Sequence, residues 1–395
     1  MKKWTAFIVL SSLISCTSAP KRSTADANWY SRMHKLSETH RHLLPIVASQ
    51  KKFSDPKYQF EISQDIRLMT EVAEDMTKDP KAPDSDPLIR YTADRFLAEL
   101  RQANLAFNAS DLQWARFSLS RTSQYCISCH TRADRGAKDF PMAWAPQLST
   151  MDTIDLVEYY LANRQYAMAM GEARKLASSQ AEPNRAPSDW IQTLGHVMGM
   201  IIRVEEDPVQ AEKLTELALE NKAAPFYVRN ELKEWLTDIR TWRREKTART
   251  DAKRLAQAKK LVEKGQSPYF RRTQGALVNN LRASGILHTL LENSKSPQYL
   301  EALSLSGLVS DSMNEPFLAQ FYYESCIRHL PHSLPAERCF SQLIQSVHEA
   351  HPYLEGSNYQ DALQMQIEQL RRLAEVKDIE DRQSPRLQQD KMNGN

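Results

Sequence analysis

Residues 110–133 read SDLQWARFSLSRTSQYCISCHTRA, and the reading of this segment decides the fold. Leu112, Ala115, Leu119, Thr122, Cys126, Cys129 and Ala133 recur every three or four residues, the spacing of one face of an α-helix. Ser110 with Gln113 three residues later matches a capping box and predicts that the helix opens there. On that helix Cys126 and His130 stand one turn apart with Cys129 beside them, so two thiols and an imidazole share the core-facing stripe. Cys-Ile-Ser-Cys-His over 126–130 is also the spacing at which c-type haem is attached. In that chemistry Cys126 and Cys129 form thioethers to the vinyl groups and His130 is the proximal iron ligand. Cysteine occurs only five times in 395 residues, so coincidence accounts poorly for the run.

Three more helix-sized segments precede it. The first carries Trp29, Met33, Leu36, His40, Leu43 and Val47 on one stripe. The second follows Ser54-Asp55-Pro56 and carries Ile62, Ile66, Met69, Ala73 and Met76. The third opens with Asp86 as N-cap and Pro87 at the first helical position, then presents Ile89, Ala93, Phe96, Leu100, Ala103 and Phe107. Four helices with short connections predict an up-down-up-down bundle. With the haem motif near the end of its fourth helix, the stretch from about residue 27 to 136 resembles the class II c-type cytochromes, the cytochrome c prime group. That resemblance implies a four-helix c-type haem domain over residues 29–136, holding one covalent haem c. The family carries an aromatic residue three positions past the histidine, with a basic neighbour. Here position 133 is Ala, and Arg132 and Arg135 lie nearby.

The resemblance also implies where the sixth iron ligand originates, because the start of helix one lies beside the end of helix four. Met33 is on the stripe at that depth, and a thioether there gives a six-coordinate iron of raised potential suited to electron transfer. Leu36, one turn deeper, would instead leave the iron five-coordinate, as in gas-binding members of the family. His40 lies about 10 Å below Met33 along the helix and reads as a polar core or haem-edge residue, with ligation a third option. His34 and His42 point off the stripe toward solvent. A class I cytochrome beginning near residue 120 is the rival reading, with Met142, Met198 or Met200 as its methionine ligand.

The motif requires export, and the N-terminus supplies it. Met-Lys-Lys precedes an apolar run over 4–14 that is too short to span a bilayer. Leu13-Ile14-Ser15-Cys16 resembles the bacterial lipobox, which implies a signal peptide over 1–15, lipidation of Cys16 and a tether over 16–28. An ordinary signal peptide is the alternative. Thr17 in place of an aspartate favours the outer membrane, so the expected location is the cell envelope, lipid-anchored and facing the periplasm.

Formal net charge is +3; without Lys2 and Lys3 the count is 50 basic against 49 acidic residues, or +1, which argues against nucleic acid as a partner. Only ten glycines and no sustained period-two alternation predict an all-α chain. A linker over 137–150 leads to a helical array over 151–376 and a polar tail over 377–395. Gly307, Ala319, Tyr323, Cys326 and Pro331 fall at the spacings of the tetratricopeptide repeat, with weaker echoes at Tyr166, Ala169 and Ala173 and at Trp190, Leu194 and Gly195. A tetratricopeptide-like solenoid would bind a protein partner. Cys326 and Cys339 are expected to form a disulfide in an oxidising compartment. The basic stretch from Arg240 to Lys260 reads as a solvated face or a dock for acidic partners.

Taken together these features predict a membrane-tethered monohaem cytochrome that passes single electrons to a redox partner protein. Two alternatives stand beside it: a five-coordinate haem protein that binds or senses a diatomic gas, and an envelope scaffold lipoprotein with a structural haem. No triad, phosphate loop or paired-carboxylate spacing suggests an enzyme.

Overall fold

The computed structural model describes residues 24–78, 87–132, 148–149, 151–246, 248–265, 274–350 and 358–376. The expected signal peptide, Cys16, Asp86, most of the expected linker, Met142 and the expected tail lie outside the described residues. Among those described there are seventeen α-helices and no strand, and no helix is long and apolar enough to cross a membrane.

The first five are α1 (Thr24–Val47), the single-turn α2 (Gln50–Phe53), α3 (Pro56–Thr77), α4 (Pro87–Asn108) and α5 (Leu112–His130). Helix α1 opens at Thr24, five residues before the expected start at 29. Pro56 and Pro87 occupy first helical positions, where the missing N–H costs no hydrogen bond. Asp55 caps α3 by accepting from the Lys57 N–H. The stripe read from sequence is the buried face of α3: Ile62, Ile66, Met69, Ala73 and Met76 are all out of solvent. The expected start of the fourth helix needs correction. Ser110 is not its cap but a left-handed residue at φ 61°, and Asp111 caps α5 through the Trp114 N–H. Burial follows the stripe through Ala115, Leu119 and Thr122, and Cys126 and Cys129 continue it half-buried.

Twelve helices follow: α6 (Thr153–Ala162), α7 (Tyr166–Ser178), α8 (Glu182–Arg185), α9 (Pro187–Met200), α10 (Pro208–Glu220), α11 (Phe226–Trp242), α12 (Asp251–Gly265), α13 (Leu277–Leu291), α14 (Tyr299–Ser312), α15 (Pro316–His329), α16 (Leu334–Ala350) and α17 (Asn358–Ala374). Helix α9 is continued by a π-helical turn at Ile201–Glu205. Helix α17 falls inside the helical array expected over 151–376.

One turn recurs. In α4–α5, α6–α7 and α14–α15 a left-handed residue (Ser110, Arg164, Asn314) is followed by an N–H that donates five residues back: Asp111 to Ala106, Gln165 to Tyr160 and Glu315 to Ser310. This satisfies an orphan carbonyl at each helix end, as in a Schellman motif.

The α14–α15 pair shows what the spacing of Gly307 and Tyr323 does. Gly307 lets the Tyr323 ring lie directly on the α14 backbone, and Tyr323 Oη donates to Asp311 at 2.9 Å. Ala319 and Cys326 are fully buried along the same helix. The Cys326–Cys339 disulfide joins α15 to α16.

The two sets of helices pack against one another. Ile127 of α5 is buried in the core that holds Trp190 and Trp235, with Cys126 against its edge. Leu148, Met151 and Tyr159 enter the bundle core, and Tyr91 of α4 stacks on Phe321 of α15 at 5.4 Å.

Candidate functional site

The end of α5 brings the three motif residues to one surface. Cys126 and Cys129 are half-buried, and neither is in a disulfide. Burial pushes the Cys126 thiol up to about 12, with Cys129 beside it adding to the rise, so the sulfur is a thiol at neutral pH.

His130 is held by a backbone acceptor. Its Nδ1 donates to the Ala162 carbonyl at 2.7 Å, where α6 ends. A carbonyl can only accept, so the proton sits on Nδ1 and the lone pair on Nε2. Burial pushes the His130 imidazole down to about 4, and the Arg164 guanidinium lowers it further while the Ala162 bond opposes both. The ring is therefore neutral and oriented at physiological pH. Tyr166 Oη donates to the His130 carbonyl at 2.7 Å, tying the end of α5 to α7. Asn163, the C-cap of α6, accepts from Ser37 Oγ of α1 at 2.9 Å. Helices α1, α6 and α7 are thus linked around the end of α5.

Two contacts fix how α1 runs along α5. Arg116 Nε donates to the Val47 carbonyl at 2.7 Å, and seven residues further His40 Nε2 and Ser123 Oγ are hydrogen-bonded at 3.0 Å. Both belong to one antiparallel register. Extended by another seven residues, about two turns, that register brings Met33 level with His130. Met33 is half-buried with Trp29, Leu36, Val72, Met76 and Ala93 in a small apolar cluster of its own. Leu36 belongs both to that cluster and to the main bundle core.

His40 is a buried polar core residue; burial, then the charge of His130, takes it down to about 4. His42 departs from the solvated reading: it bridges to Glu61 at 2.8 Å and Asp65 at 2.5 Å on α3. Met198 and Met200 are fully buried in the core around Trp190. Three members of the basic stretch are engaged with neighbouring helices, Arg240 and Arg243 with Glu212 of α10, and Lys259 with Glu301 of α14. Among the described residues no group of three or more His, Cys, Asp or Glu side chains is placed to hold a bare metal ion.

The chain matches no protein-family model, no curated protein and no solved structure.

The residues that sequence reasoning missed are the supports. The Ala162 carbonyl is a backbone group and leaves no side-chain signal. Tyr166 was noticed only as part of a repeat echo, and nothing in its spacing pointed to His130.

Proposed function

We propose that this chain is a monohaem c-type cytochrome of the bacterial cell envelope, lipid-anchored through Cys16, that passes single electrons to a protein partner. A c-type haem bound at Cys126 and Cys129 supplies a one-electron couple at its iron. The observation that carries the reading is the His130 Nδ1–H to Ala162 carbonyl bond. Metal-ligating histidines commonly donate their second ring nitrogen to such an acceptor, which fixes the tautomer and raises ligand basicity. The donor set fits: two thiols and a neutral, oriented imidazole stand on one helix face, and the α1–α5 register, extended, would bring the Met33 thioether to their level. Met33, level with His130, is the proposed distal ligand. The neighbouring apolar side chains would exclude water from that end of the bundle. The helical array, with tetratricopeptide-like packing at Gly307 and Tyr323, would recruit the partner.

The test is the absorption spectrum of the full chain purified from a host with haem-attachment machinery. Covalent haem that survives denaturation, with the methionine-to-iron charge-transfer band present in the oxidised protein and lost in Met33→Ala, is the expected result. A preparation without covalent haem refutes the proposal. A high-spin spectrum that shifts with carbon monoxide replaces electron transfer by the gas-binding reading, for which Leu36 in the same cluster is the structural argument. Retention of the cellular role in His130→Ala would favour the scaffold reading.

A further inference from the structure

The face of α5 opposite the cysteines borders a second feature. A cavity of about 1080 Å³ lies between the bundle and the helical array, and Ser128, Thr131 and Arg132 contribute to its wall while Cys126, Cys129 and His130 do not. Its charged lining is four arginines (Arg95, Arg121, Arg132, Arg203) against two glutamates (Glu231, Glu315), with no lysine or aspartate.

Arg203 is the unusual member. It lies in the π-helical turn Ile201–Glu205, a rare backbone form concentrated at functional sites. Its guanidinium is held by hydroxyls: Nη2 donates to Thr131 Oγ1 at 2.9 Å and Nη1 to Ser284 Oγ at 3.5 Å. Nε is out of contact with solvent and has no hydrogen-bond partner. Among the described residues no carboxylate lies at ion-pair distance from it. Gly199 makes room for the side chain, whereas Gly285 stands at ordinary contact distance. A Cβ at Gly199 would come within 2.9 Å of Nη2, and one at Gly285 within 3.5 Å of Cγ. Burial lowers the Arg203 guanidinium to about 10, with Arg132 adding to the shift, so it remains charged at neutral pH. Beside it the buried Arg132 donates from Nε to His288 Nδ1 at 3.0 Å and from Nη2 to Tyr322 Oη. Arg203 is hydrogen-bonded only to hydroxyls, and the opposing charge that acts on it and on Arg132 is the Glu315 carboxyl of the same wall, which burial pushes up toward its neutral form. A guanidinium without a direct ion pair in such an enclosed place favours an anion that completes its hydrogen bonds.

We infer that this cavity binds a small organic carboxylate, with Arg203 and Arg132 as its anion-binding pair. The guanidinium fork matches a carboxylate edge. The volume exceeds what an inorganic ion needs, and Tyr322, Ile191, Leu281 and Met313 supply apolar wall for an organic body. The inference does not rest on the haem reading, since none of Cys126, Cys129 and His130 lines the cavity.

The test is isothermal calorimetry of the full chain in low chloride with benzoate, succinate and inorganic phosphate as probes. The expected result is one site per chain for benzoate or succinate, tighter than for phosphate. Affinity should fall about tenfold or more in Arg203→Gln, as for a lost charged hydrogen bond. Gly199→Ala displaces the guanidinium without removing it and should weaken binding in the same direction, which keeps the test decisive if Arg203→Gln does not fold. Arg240→Gln, in a surface ion pair with Glu212, is the unaffected control. Absence of carboxylate binding, binding equal to or weaker than that of phosphate, or binding unchanged in both cavity variants overturns the inference.

Discussion

Gly307→Ala and Gly171→Ala are the same chemical change in two helix interiors, and the structure assigns them opposite signs. At Gly171, on the exposed side of α7, an added Cβ meets nothing within 4 Å. Replacing glycine there should stabilise the protein by about 1 kcal/mol through helix propensity. At Gly307 the added Cβ would lie within 2.6 Å of Tyr323 Cδ1 and Cζ, and closer still to Cε1. Carbon atoms pack at about 3.5–4.0 Å, so the ring must retreat by about 1 Å or more. Tyr323 cannot easily retreat, because it is fully buried and its hydroxyl is anchored on Asp311. Overpacking of this kind costs about 1–3 kcal/mol, and a rigid anchored ring argues for the upper end. Less the propensity gain, Gly307→Ala should destabilise by about 2 kcal/mol, and the two variants should differ by about 3 kcal/mol. Urea unfolding at 25 °C followed by circular dichroism gives the midpoints. Hydrogen exchange in α14 and α15 localises the effect, since a chain this long can unfold in stages. Tyr323→Leu should relieve much of the Gly307→Ala cost, as a double-mutant cycle would show. A Gly307→Ala protein as stable as the parent would refute the close helix crossing.

The Cys326–Cys339 disulfide spans 13 positions, and the chain-entropy relation gives about 3 kcal/mol for such a loop; a Cys326→Ser, Cys339→Ser double variant should lose about that in urea midpoint measurements, and an unchanged midpoint would count against the entropic account. Ser110 holds φ 61° at the exposed α4–α5 turn, so Ser110→Gly should stabilise by about 1 kcal/mol in the same assay, and a loss of stability would refute the strain argument. Burial, reinforced by Asp152 and Glu158, pushes the Asp155 carboxyl up to about 7, above its ordinary 3.8. The folded state then binds the extra proton, so this group's contribution is fully present below pH about 4 and is lost as pH rises through 7. Asp155→Asn should flatten stability against pH across that window and raise it at pH 8, and an unaltered pH profile would reject the assignment.

Much of the bundle could be read in advance because its signals are local. Pro56 and Pro87 mark helix starts through geometry that any proline imposes, and the α3 stripe from Ile62 to Met76 is a pure period of burial. Gly307 with Tyr323 was legible for the related reason that a close crossing needs a residue without a Cβ. The misses have equally physical causes. Ser110 and Arg164 adopt left-handed conformations without being glycine or asparagine, so neither announces its turn. The π-helical turn differs from an α-helix by a single register slip and leaves the hydrophobic period almost intact. Of the described side chains of α17 only Leu370 and Ala374 are buried, one turn apart, which is too narrow a stripe to delimit a single helix within the array. Arg203 reads in sequence as a polar interruption of an apolar helix, and its cavity is built by residues scattered from Tyr91 to Tyr322.

Helix α5 explains why bundle and array are packed together. Its inward face carries Ala115, Leu119 and Thr122 into the bundle core and ends in the two thiols and the imidazole. Its outward face carries Ser128, Thr131 and Arg132 to the cavity wall. Each face depends on the array for its last contact: His130 on the Ala162 carbonyl, and Thr131 on the Arg203 guanidinium. Thr131 Oγ1 also donates to the Ile127 carbonyl at 2.8 Å, so the hydroxyl that receives Arg203 also closes the last turn of the helix that bears the motif. A four-helix bundle cut away at residue 132 would retain Cys126, Cys129 and His130 but lose the acceptor that orients the imidazole. The helices after residue 151 are therefore part of the histidine site.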